Sequence, residues 1–158
     1  MQYVNLRSFT TASMVGNKEK NCGMLDIDGA LQKIKSNPDE YSNALAVTEK
    51  NNMYSVIDFY KAGLELNNDF NSIVGIHLNF SHEDEQEYQV NEANGTRVET
   101  RIVSYSYPLL LIAKNNKGYR NLCKLQTLYF QSKHSDRVTE EVALQHKELF
   151  KDLFVLSG

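Results

Sequence analysis

The side chains able to do chemistry are few and scattered. His77 sits inside an apolar run at residues 72–80, His82 opens an acidic stretch at 81–87, His134 lies in a polar link, and His146 falls on a helical pattern. The last three have no partner at metal-ligand spacing and read as surface or half-buried residues. The carboxylates of 81–87 could hold a hard cation by oxygen ligation, but a solvated loop is the simpler reading. Cys22 and Cys123 are too few and too far apart for a disulfide framework or a zinc knuckle, which fits neutral thiols in a reducing cytoplasm. No Ser-His-Asp order, P-loop or Gly-rich dinucleotide turn is present.

The charge balance narrows the function classes. Seventeen Lys and Arg against twenty Asp and Glu leave a net charge of -3, so the basic footprint that duplex DNA binding needs is missing. With 158 residues, one domain spanning 1–158 is expected, burying roughly 70% of its unfolded surface. No apolar run approaches the roughly 20 residues of a membrane span, and the N-terminus has no signal-peptide core. A cytoplasmic protein is expected.

The elements that must position any site centre on residues 108–127. Leu109 to Ala113 form a short apolar run, a strand buried on both faces. Turn residues at 114–118 break it. From Tyr119, the positions Leu122, Cys123, Leu125, Tyr129 and Phe130 recur at intervals of three and four, which predicts a helix on a core. Elsewhere, 3–9 alternates as a first strand, and 16–23 reads as a loop. Residues 30–35 form a short helix that cannot pass Asn37-Pro38, and 44–48 form a second buried strand. Ser55 with Asp58 gives a capping-box-like start to a helix with Ile57, Tyr60 and Leu64 on one face. Asn94-Gly95, between 87–90 and 97–103, is the strongest hairpin signal in the chain. Thr139 caps a helix with Glu140 and Glu141 in its first turn and Val142, His146, Leu149 and Phe150 on one face. A last strand spans 153–156. Strand-helix-strand spacing of this kind predicts crossover units and an α/β parallel sheet or barrel with an open edge.

Residues 44–63, 72–78, 109–127 and 153–158 resemble, in order, segments of the PHP (polymerase and histidinol phosphatase) domain at the N-terminus of bacterial DNA polymerase III alpha subunits, of the shorter type without an inserted exonuclease. The resemblance implies a partial, truncated PHP-type (β/α) barrel with mostly parallel strands and an inserted β-hairpin. It also implies that 10–29 is lengthened, because Ser13-Met14 and 28–30 resemble positions that normally stand close together.

Active members of the family hold metal ions on His and carboxylate ligands at strand ends, where the ions activate water for phosphoester hydrolysis. At the matching positions of this chain, Arg7 and Phe9 stand where a His-x-His is expected, Thr48-Glu49-Lys50 where Thr-Asp-His is expected, and Gly75-Ile76-His77 where Gly-x-Glu is expected. A guanidinium and a phenyl ring donate no lone pair. The resemblance therefore implies a degenerate, metal-free site, with no catalytic, cofactor-binding or metal-ligating residue assigned and no cofactor. Arg7, Glu49 and Lys50 could fill the pocket as an ion-pair cluster with Phe9 packed beside them, or the basic pair could take an anion.

By the same resemblance the parent is a DNA-directed DNA polymerase, a nucleotidyltransferase of DNA replication. This piece would act as a scaffold, with the rest of the polymerase chain and a proofreading exonuclease as partners and little direct DNA binding. The alternatives are a small PHP-like metal phosphoesterase and a free-standing interaction module.

Overall fold

The computed structural model describes residues 4–10, 25–67, 69–92, 95–131 and 137–157. The expected loop at 16–23, Ser13-Met14, Cys22, Asn94 and His134 lie outside them. The elements follow in the order α1 (Ile27–Ser36), β1 (Ala44–Lys50), α2 (Val56–Leu66), β2 (Asn71–Glu92), β3 (Gly95–Ala113), α3 (Asn116–Gln131), β4 (Val138–Thr139), α4 (Glu140–Gln145), a 3-10 turn (Lys147–Phe150) and β5 (Leu153–Ser157).

One curled mixed sheet carries the fold in the order β1-β2-β3-β5, with β4 pairing to β2. β1 and β4 run parallel to β2, whereas β3 is antiparallel to β2 and β5 antiparallel to β3. The mostly parallel sheet expected from the spacing is therefore corrected to a mixed one. The reason lies in the hairpin: the ladder runs without a break from Gly75↔Ile112 to Glu92↔Gly95, so the apolar run 109–113 is the far end of the returning hairpin strand. The acidic stretch 81–87 is part of β2 and not a loop, and residues 4–10 are assigned no strand. That N-terminal segment still lies along β1, where Thr48 N donates to Ser8 O at 2.9 Å.

Alternation decides what each strand buries. Ile76, Leu78, Phe80 and Leu111 meet Leu122, Leu125 and Tyr129 of α3 in the main core, while Val47, Phe59 and Phe70 join Leu31 and Ile34 of α1 in a second. Asn115 starts α3, its Oδ1 accepting from Lys117 N and Gly118 N at 2.9 and 3.0 Å. Gly118 is required here, because a Cβ would collide with Asp152 O where the chain enters β5. Thr139 caps α4 as expected, accepting from Val142 N at 3.4 Å.

Two helix faces differ from the expected ones. α2 buries Val56, Phe59 and Gly63, and leaves Ile57, Tyr60 and Leu64 about half exposed. Its Ser55 makes no cap hydrogen bond. In α3, Phe130 is exposed, with its ring edge-on to Tyr129 at 5.4 Å between ring centroids.

Candidate functional site

The end of β1 and the part of β2 paired with it bring Thr48, Glu49, Lys50 and His77 together, with Arg7, Phe9 and Thr10 beside them. The pairing register sets Lys50 opposite His77 and Thr48 opposite Gly75. After β1 the chain turns through Asn51, whose φ of 62° places it in the left-handed region that Asn tolerates. Asn51 N donates to His77 O at 2.8 Å, so the turn is fastened to the neighbouring strand.

Thr48 is fully buried and serves the N-terminal segment. Ser8 N donates to its Oγ1 at 3.0 Å, and that hydroxyl lies 3.1 Å from Leu6 O, which it can reach as a donor. Glu49 is likewise fully buried. Its Oε2 accepts from Thr10 N at 3.3 Å, and its Oε1 accepts from the hydroxyls of Thr10 and of Ser55, the latter at 2.5 Å. A buried carboxylate of this kind is tolerated because donors replace its lost water.

His77 is 3% exposed, and its Nε2 has no hydrogen-bond partner among the described residues. The Phe9 ring stands edge-on to it at 4.9 Å, and the Arg7 guanidinium sits over Phe9 at 5.7 Å from the ring centroid. Burial, then the charges of Arg7 and Lys50, depress the imidazole pKa to about 4, so it is neutral at physiological pH.

Sequence reasoning brought Arg7, Phe9, Glu49, Lys50 and His77 to one place, and the structure does the same. It missed Thr10 and Ser55, the hydroxyls that hold Glu49. A Ser six residues after a buried-strand Glu was the available signal, but it read as a helix cap.

The other histidines stand apart. His82, expected on the surface with no partner at metal-ligand spacing, is partly exposed; its Nδ1 meets Glu140 Oε2 and its Nε2 lies 2.8 Å from Asp84 Oδ1. These pairs raise its pKa, the Glu140 hydrogen bond most of all. His146 is half-buried, 3.7 Å from Glu148 Oε1. Among the described residues no three His, Cys, Asp or Glu side chains converge as a metal-binding group, and no helix is long and apolar enough to cross a membrane.

The family model of the PHP domain matches residues 26–158. The chain belongs to the PHP domain family. It is 28% identical over 138 residues to the DNA polymerase III subunit alpha of Chlamydia muridarum (85% of this chain, 10% of the relative). The corresponding subunit of Treponema pallidum is 30% identical over 135 residues (81% and 10%), and that of Bacillus subtilis 32% over 112 residues (70% and 8%). This PHP chain thus spans about a tenth of the length of those curated relatives. Its Arg7 through Thr10 precede the matched segment, whereas Glu49, Lys50 and His77 fall within it.

Proposed function

We propose that this chain is the N-terminal PHP part of a DNA polymerase III alpha-type protein, whose whole performs DNA-templated DNA synthesis in the cytoplasm, and that this part acts as a metal-free scaffold. The family match and the relatives' names support the polymerase reading. The rest of the polymerase chain is the first partner in this reading, and a proofreading exonuclease subunit the second.

The observation that carries the metal-free reading is the pairing of His77 with two cations. A divalent ion needs several lone-pair donors at one point, and catalytic zinc sites typically use three protein ligands. Here Arg7 and Phe9 donate none, Lys50 adds positive charge, and the Glu49 oxygens accept hydrogen bonds from Thr10 and Ser55. Among the described residues here, His77 alone offers an unpartnered buried nitrogen, in surroundings that already oppose a proton. A divalent ion would meet the same opposition at twice the charge. The described residues do not fit a metal centre.

Elemental analysis of protein purified without chelator, with assays on phosphomonoesters and DNA ends, tests this. Substoichiometric metal and no turnover are expected. Near-stoichiometric zinc or manganese, with hydrolysis abolished by His77→Ala, would establish the metal phosphoesterase reading instead.

A further inference from the structure

Parallel pairing puts Thr48, Lys50, Gly75 and His77 on one face of the sheet and turns Glu49 to the other, where Thr10 and Ser55 hold its oxygens. The carboxylate next to Lys50 in the chain is thereby withdrawn from the cations of the site. Arg7 is exposed, and its side chain makes no hydrogen bond or ion pair among the described residues. It lies over the Phe9 ring, a placement that occupies the guanidinium plane and leaves the N–H donors at its rim. Lys50 is half-buried and stands opposite His77.

Between these cations lies a polar atom that the described residues leave unsatisfied. His77 is 3% exposed, and its buried Nε2 has no hydrogen-bond partner among them. Leaving such a group unpaired costs about 1–3 kcal/mol, so its retention points to a partner from outside the chain. The charges acting on the imidazole are those of Arg7 and Lys50, both positive. A water molecule could accept from the nitrogen but would leave that excess charge unanswered. A metal ion would add to it. An anion answers the nitrogen and the charge together.

We propose that Arg7, Lys50 and the Nε2–H of His77 bind a phosphate group without any metal ion. The neutral imidazole, with its proton on Nε2, donates to one oxygen; the guanidinium fork takes two others, and the ammonium supplies a further positive charge. A tetrahedral oxyanion has oxygens enough for all three groups, which chloride has not. Because Nε2 is covered, entry requires the half-buried Phe9 ring, packed edge-on against the imidazole, to turn aside. The same donors serve a free phosphate ion and the phosphate of a monoester. This inference rests on the metal-free reading of the site.

The test is calorimetric titration of the 158-residue chain with inorganic phosphate in buffer containing EDTA, with methyl phosphate and with sodium chloride at matched ionic strength in parallel. Saturable binding of phosphate is expected, moving the His77 imidazole resonances in NMR, and chloride should reproduce neither. Arg7→Gln, at an exposed position, should weaken binding about tenfold or more. His77→Phe keeps a ring and removes the donor, and should weaken it as well. Arg101→Gln, far along the ribbon that β2 and β3 form beyond the core, should leave it unchanged, with circular dichroism confirming that each variant is folded. Binding of both phosphate and methyl phosphate assigns the site to monoesters, and binding of phosphate alone assigns it to the free ion; either supports the proposal. No saturable binding with or without added metal, or undiminished binding by Arg7→Gln, would overturn it and leave the metal-free reading standing. Phosphate binding that appears only after zinc or manganese is added would overturn both.

Discussion

Ser55 Oγ donates to Glu49 Oε1 at 2.5 Å, so the residue that ought to cap α2 instead secures a carboxylate at the end of β1. Together with Thr10 it makes Glu49 a fastening between three chain segments: the N-terminal stretch, the strand and the following helix. Glu49→Ala should remove the acceptor of the Thr10 and Ser55 donors and cost about 1–3 kcal/mol. Urea unfolding measures this, and Ser55→Ala, which removes one donor and leaves those of Thr10, should cost less. Equal stability of Glu49→Ala and wild type would show that the fastening contributes nothing.

The main core should be most sensitive where strand meets helix. Leu111 and Leu122 are both fully buried and belong to the same cluster. Replacing either by Ala should destabilise by about 2–5 kcal/mol. Ile57→Ala on the exposed face of α2 should stay within about 0.5 kcal/mol. Chemical denaturation of the three variants distinguishes the buried face of each helix from the open one.

His82 should titrate above its ordinary value, because Glu140 and Asp84 both favour the imidazolium. The sign follows from the raised folded pKa. Any stability it contributes is present below the unfolded value of 6.5 and disappears as pH rises through the folded value. NMR of the imidazole should show the midpoint above 6.5, with Glu140→Gln lowering it more than Asp84→Asn. A midpoint unmoved by either substitution would contradict the pairing.

Much of the fold was legible because local signals agreed. Asn37-Pro38 stops α1, Thr139 caps α4, and the apolar run 109–113 is buried as its composition demands. The face of α2 was not legible, because Ile57, Tyr60 and Leu64 repeat at the same helical spacing as Val56, Phe59 and Gly63. Only the tertiary partner decides: Gly63 is chosen because a Cβ there would press on Ser72 Oγ and Phe70. The acidic stretch read as a loop because alternation loses its meaning where both strand faces meet water, as they do in the ribbon. Strand direction followed from the same hairpin, once 72–80 and 109–113 are recognised as its two arms. At the site, it was the resemblance to the PHP family that set Arg7, Lys50 and His77 together. The hydroxyls of Thr10 and Ser55 were missed because a hydroxyl has no spacing that marks it as the partner of one carboxylate.

The buried imidazole of His77 should make the fold acid-sensitive. In the unfolded chain it takes a proton near pH 6.5; in the folded one burial, Arg7 and Lys50 hold that off until about pH 4. A base with a depressed folded pKa binds protons more readily when unfolded, so its contribution is complete above pH 6.5 and is lost as pH falls towards 4. The difference corresponds to about 3 kcal/mol across that window. Denaturant unfolding of wild type and His77→Gln between pH 4 and 7.5 isolates the effect, because the carboxylates titrate in both proteins and cancel in the difference. The wild-type curve should fall more steeply below pH 6.5, and Arg7→Gln, which removes one opposing charge, should reduce that steepness in part. Parallel curves for wild type and His77→Gln would mean that the imidazole is not held neutral by its surroundings.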